Sequence, residues 1–131
     1  SALLGMPVPL QNPQISGLVM GQDTVQATPY KGKIFWLWGD TNRPSYPLGN
    51  FFTSSATSLP PANGGLDPSK GIDLTYWVDN EGFSKKMMPL PGSMPVWLGG
   101  LFTVREGGAE YLFAHYAQVQ SDSKANESGL A

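Results

Sequence analysis

Lys33-Ile34-Phe35-Trp36-Leu37-Trp38-Gly39-Asp40-Thr41 is the stretch whose reading decides the fold. Its apolar run, Ile34 to Trp38, is too short for a typical helix and rich in aromatic side chains, so it reads as a strand. Odd and even positions are equally apolar, and a strand of that kind needs cover on both faces, as in stacked sheets. Tyr111-Leu112-Phe113-Ala114, followed by His115 and Tyr116, shows a similar pattern. Working outward, strand-like runs fall at 15–20, 24–28, 33–39, 51–58, 72–79, 96–104 and 110–119. Each is rich in β-branched or aromatic residues and bounded by Gly, Pro, Asn or Asp. The connections at 41–50 and 59–71 are full of turn residues, including Pro60-Pro61 and Asn63-Gly64-Gly65. No window of helical length carries an apolar stripe, so the chain is expected to be all-β with antiparallel sheets.

The composition agrees. Charged residues are 14% of the 131 positions, while 16 glycines and 12 prolines accompany 11% aromatics. Helical bundles and coiled coils need more charged helix formers than this. Apolar residues reach 40%, enough for a core. A net charge of −2 offers no basic face for nucleic acid. With no cysteine, disulfides, thiolate zinc sites and cysteine nucleophiles are excluded. No apolar run approaches the length of a membrane-spanning helix. There is no phosphate-binding glycine loop, no His-x-x-x-His and no Gly-x-Ser-x-Gly. Nothing in the chain assigns a compartment, and its start lacks both an initiator methionine and the basic region of a signal peptide.

Residues 1–14, with three prolines, read as an extended lead-in; 15–119 form the β region; 120–131 read as a polar loop cut off as another strand begins. The two aromatic strands share their approach. Pro29-Tyr30-Lys31-Gly32-Lys33 leads into one and Arg105-Glu106-Gly107-Gly108-Ala109-Glu110 into the other, which places Lys33 over Glu110, 77 residues on. Four strands fit in that period, the content of one propeller blade. The chain would then hold about one and a half to two blades, too few to close a propeller; a small β-sandwich is the alternative.

The candidate chemistry lies at Asp23 and Asp40. If Lys31-Gly32 is a two-residue turn, cross-strand partners have numbers adding to 63, and the two acids face each other. Opposed residues have Cβ atoms roughly 4.5–5.5 Å apart. Two carboxylates that close do not both ionise easily, so one pKa is expected to rise, as suits a general acid beside a base or nucleophile. A bulge at Gly32 would shift the sum to 62 and set Asp40 against Gln22. A competing reading makes Asp23 a turn cap and Asp40 an Asx-turn with Asn42. No cofactor is expected, although a calcium ion on Asp23, Asp40 and Asn42 is an alternative use of the same oxygens. Under the 77-residue offset the acids correspond to Gly100 and Ala117, so they are not part of the repeat.

His115, the single histidine, falls over Trp38 and reads first as scaffolding. Arg43 can pair a carboxylate or cap its loop. Among the aromatics, Trp97 and Tyr46 lie near loops and are the exposed candidates for stacking on a sugar ring.

Gly21-Gln22-Asp23 and Phe35-Trp36-Leu37-Trp38-Gly39-Asp40-Thr41 resemble the first blade of five-bladed propeller glycoside hydrolases, most closely the arabinanase-like and endo-D-arabinanase-like groups. The resemblance is specific over about 20 residues. It implies that Asp23 and Asp40 are the acidic pair at a central funnel, with Asn42, Arg43 and His115 as funnel neighbours. Complete members have about five blades, and later blades supply further carboxylates. The resemblance therefore implies a piece of a glycoside hydrolase-like propeller acting on a glycan. A carboxyl separation of about 5–5.5 Å would give retention of configuration, and about 6.5–9.5 Å inversion. The alternatives are a non-catalytic carbohydrate-binding β-domain and a β module that assembles with copies of itself through open sheet edges.

Overall fold

A computed structural model describes residues 4–92, 94–119 and 125–131, with backbone alone for 46–51 and 125–126. The chain is all-β. Its strands are β1 (Gly21–Gln22), β2 (Val25–Tyr30), β3 (Lys33–Arg43), β4 (Tyr46–Ser58), β5 (Thr75–Tyr76), β6 (Val96–Glu106), β7 (Ala109–Val119) and β8 (Ala125–Leu130). They form two antiparallel sheets, neither closed into a barrel. In the first, β1 and β2 lie end to end along one side of β3, followed by β4 and β5; the second runs β6-β7-β8. Both are meanders in chain order.

The two long hairpins turn in the same way. Lys31 and Gly32 both take positive φ, 48° and 74°, and so do Gly107 and Gly108, 58° and 79°. These are two-residue turns of the I′ kind, whose twist suits the flanking strands. The first holds the register expected from the sequence: Tyr30 opposes Lys33, Val25 opposes Trp38 and Gln22 opposes Thr41. In the second, Glu106 opposes Ala109. Aligning turn on turn places Ala109, not Glu110, over Lys33, so the two hairpins superpose at an offset of 76 residues, one less than the 77 expected from the sequence. The sequence match aligned charged residues, whereas the turns set the ladder. Beyond Gly100, which takes φ 59°, β6 carries one extra residue, and the register shifts between Gly99 and Phe102. This is a bulge of the glycine type.

The aromatic strand β3 is covered on both faces, as its sequence requires. Phe35 and Leu37 are buried on one side, and Phe35 meets Trp77 with ring centroids 5.5 Å apart. On the other side Trp36, Trp38 and Tyr76 form a stack, at 6.1 and 5.6 Å. The Trp36 indole N–H donates to Ser58 Oγ at 2.9 Å. Beside β3, strand β4 presents the small buried side chains Thr53, Ser54, Ser55 and Ala56, which leave room for these rings.

Several boundaries differ from the sequence expectation. Residues 15–20 form no strand, because Gly17 and Leu18 take positive φ and turn the chain where Gly17 passes against the Tyr76 ring. The run at 72–79 contributes only Thr75–Tyr76. Asp79 ends it by accepting the N–H groups of Glu81 and Phe83 in a tight loop. The connection expected at 41–50 shrinks to Pro44 and Ser45, since β3 and β4 continue into it. The tail is not all loop. Residues 125–130 pair with β7, where backbone bonds supply what the polar sequence does not advertise.

The sheets meet through their first strands, β2 and β6. Leu101 N–H donates to Gln26 Oε1 at 3.0 Å, Thr53 Oγ1 to the Val96 carbonyl at 2.9 Å, and Lys31 N–H to Glu110 Oε2 at 2.6 Å.

Candidate functional site

The first strand of the first sheet is broken where the acids lie. Asp23 and Thr24 separate β1 from β2, and Thr24 has φ 39°, uncommon for a β-branched residue. The Asp23 carboxylate holds this kink by accepting the Thr24 N–H at 2.7 Å and, more weakly, its hydroxyl at 3.4 Å. Across the ladder Asp23 N–H donates to the Asp40 carbonyl at 2.9 Å, and Gly39 N–H is shared between the carbonyls of Asp23 and Thr24. Thus Asp23 and Asp40 do face one another. Gly39 lies close against this kink: a Cβ on it would be in van der Waals contact with the Asp23 carbonyl oxygen, at 3.4 Å, and with Thr24, at 3.6 Å.

Beneath the pair runs a polar chain. Tyr76 O–H donates to Gln22 Oε1 at 3.0 Å, Gln22 Nε2 donates to Ser54 Oγ at 2.8 Å, and the Ser54 and Thr41 hydroxyls share a bond of 2.7 Å. Thr41 Oγ1 also donates to the Gly39 carbonyl. Partial burial pushes the Tyr76 phenol above its ordinary value, and its bond to Gln22 opposes that rise. Buried, partnered groups of this kind hold a backbone in place, here the backbone that carries Asp40.

Asp40 is half-buried. Loss of solvent raises its pKa above the usual carboxylate value, the facing charge of Asp23 adds to the rise, and the Trp97 indole draws it partly back. That indole stops short of well-formed hydrogen-bond geometry. Asp23 is the exposed member of the pair. The two acids, with Thr24, Gly39, Trp97 and Leu98, line an open cleft of about 320 Å³. Trp97, at the start of β6, is 41% exposed. A carboxyl with a raised pKa, a solvated carboxyl opposite and an exposed indole form a set that can donate a proton, accept one and stack on an apolar ring face.

The structure brings together Asp23, Asp40 and Trp97. It does not bring in the others. Asn42 pairs with Gly21 beyond the cleft, its carbonyl accepting Met20 N–H. Arg43 is turned away as a cleft residue: its guanidinium binds Glu81 at 3.0 Å and lies over the Phe83 ring. His115 pairs with Gly99 on β7 and leans on Phe102, with ring centroids 6.2 Å apart; Ala114, not His115, is the counterpart of Trp38. The Tyr46 side chain lies outside the described residues. At the 76-residue offset Asp40 falls on Tyr116 and Asp23 on Gly99; allowing for the extra residue of β6 moves the latter to Leu98, which opposes Tyr116 in the second sheet. Neither is an acid, so the pair is an addition to the repeated pattern. Among the described residues no three of His, Cys, Asp and Glu converge as a metal cluster. Calcium at this cleft would have to draw on neutral oxygens beside the two carboxylates.

Thr24, Gly39 and the Tyr76-Gln22-Ser54-Thr41 chain are missing from the sequence reading. The glycine between Trp38 and Asp40 was the available signal, since a strand interior tolerates glycine where another backbone comes close. A larger cavity of about 560 Å³ lies on the other face of the first sheet, lined by Lys33, Trp36, Leu59, Ile72 and Asp73 among others. It holds no opposed acids. Comparison of the chain with protein-family models, with curated proteins and with solved structures yields no match.

Proposed function

We propose that this chain forms part of a propeller-like protein acting on a glycan, with the Asp23/Asp40 cleft as the site of contact. The observation that carries the reading is the pairing of the two acids beside the exposed Trp97. Asp40 is the proton donor to the glycosidic oxygen. Asp23, the more solvated carboxyl, is the nucleophile at the anomeric carbon or the base that activates water there. Trp97 offers a flat apolar surface for the C–H face of a sugar ring. Two further features support the reading: the sheets are meanders in chain order that meet through their first strands, and the acids stand outside the repeated pattern.

The engagement of Asp23 with the Thr24 N–H favours a second reading, in which the acids hold the kink and Trp97 belongs to a non-catalytic carbohydrate-binding surface. Asp23→Asn, Asp40→Asn and Trp97→Ala separate the two when hydrolysis and binding are measured on linear arabinan and D-arabinan oligosaccharides. On the first reading each Asn variant loses hydrolysis and keeps binding, while Trp97→Ala loses binding. Binding by the unsubstituted chain without hydrolysis, unchanged in both Asn variants, would support the second.

A further inference from the structure

The second sheet leaves an apolar face open. On β6 and β7, between the bulge and the turn, Phe102 opposes Phe113 and Val104 opposes Tyr111, all four on one side. Phe102 and Phe113 stack at 5.5 Å, and Tyr111 approaches Phe113 at 6.5 Å. Tyr111 is 48% exposed and Val104 40%. Among the described residues nothing packs over them, and the sheet's other side, with Glu110 and buried Ala114, turns toward the first sheet.

The repeat says what such a face is for. Superposing the two hairpins turn on turn lays Thr28, Phe35 and Leu37 over Val104, Tyr111 and Phe113. In the first sheet Phe35 and Leu37 are buried, on the side where Gln26 receives β6. The open face is therefore the counterpart of a face that a neighbouring sheet covers. At the opposite end of the molecule, the outward side of β2 presents Val25, Ala27 and Pro29, all exposed and none charged. We infer that a second copy of this chain seats the outward side of its β2 on Phe102, Val104, Tyr111 and Phe113 of the first, extending the stack head to tail. The two surfaces differ, so the contact is heterologous and repeats from copy to copy. Pro29 has no N–H to offer along the β2 edge, which favours meeting by faces over pairing by edges.

Sedimentation velocity and light scattering at micromolar concentrations test this with Tyr111→Glu and Val25→Glu. The unsubstituted chain should associate, and each variant alone should associate more weakly by about tenfold or more, because a carboxylate is stranded in an apolar contact. An equimolar mixture of the two should form a 1:1 dimer that grows no further, since each retains the surface the other lacks. Should either variant lose its β-sheet circular dichroism, Val104→Glu and Ala27→Glu replace them at neighbouring exposed positions. A monomeric unsubstituted chain would leave the face to another occupant and overturn the inference. So would association that survives both variants, or variants that fail to complement.

Discussion

Replacing Asp40 by Asn should stabilise the fold at neutral pH while abolishing hydrolysis. Opposed residues in a regular pair have Cβ atoms roughly 4.5–5.5 Å apart, so a charge separation of about 6 Å serves as the order of magnitude here. At a half-solvated strand end, with an effective dielectric between about 40 and that of water, two unit charges 6 Å apart repel by ~0.7–1.4 kcal/mol. Salt reduces this and the Trp97 indole offsets part of it. The net gain on removing the charge is then about 0.5–1 kcal/mol, or roughly 2–4 °C in Tm for a chain of this size. The pH dependence has a definite sign. Burial and Asp23 raise the pKa of Asp40 in the folded state, so between the ordinary carboxylate value and the raised one the folded chain binds more protons than the unfolded. The unsubstituted protein therefore loses stability as pH rises through that window. Asn does not titrate, so the advantage of Asp40→Asn should be near zero in acid, grow across the window and level off above it. Paired urea melts of the two proteins from pH 3 to 8 measure this difference, the other carboxyls being common to both. An Asn variant less stable than the parent at pH 7, or a difference that does not change with pH, would refute the opposed-charge geometry.

Gly100→Ala should cost about 1–3 kcal/mol in urea melts, since alanine is strained at φ 59° and its Cβ would lie 2.8 Å from His115 Nδ1. Ser54→Ala should cost about 1–3 kcal/mol by stranding the Gln22 Nε2 donor and removing the bond to the Thr41 hydroxyl. Adding Thr41→Val to it should cost less than the separate losses combined, as a double-mutant cycle would measure. The Glu110 carboxylate lies below its ordinary pKa, chiefly because it accepts the Lys31 N–H. Its contribution is therefore present above the ordinary glutamate value and lost as pH falls through the depressed one. Glu110→Gln should be less stable than the parent at neutral pH and converge with it in acid, by the same melts.

What could be read in advance was local. The two-faced run at 34–38 announces a doubly covered strand, and the short Lys31-Gly32 turn dictates that Asp23 opposes Asp40, because a ladder propagates its register from its turn. The break at Thr24 was not legible, since its positive φ is imposed by the Asp23 cap and by Gly39 across the strand. Residues 15–20 carry strand-like side chains but turn at Gly17 and Leu18. Conversely, 125–130 carries little strand signal yet completes a ladder whose other side is already present. Trp97 reached the acids through the docking of β6 on β2, a contact between residues far apart in the chain. Arg43 was lost from the site for the same reason, through Glu81, 38 residues away.

The single extra residue at Gly100 acts as a phase change within β6. On the turn side of it, even-numbered positions such as Phe102 and Val104 oppose odd-numbered partners; on the far side, odd-numbered Trp97 opposes odd-numbered Ala117. Deleting one residue there would close the bulge and leave both halves of the ladder paired as they are: Phe102 would still oppose Phe113, and Trp97 would still oppose Ala117. Paired residues share a side of the sheet, so Trp97 and Leu98 would keep their sides, and the strand would lose only the local bend and added twist of a bulge. The hairpin can therefore take one residue more or fewer at this point without turning any side chain over, and what the extra residue contributes is the bend of β6 on its way to the cleft.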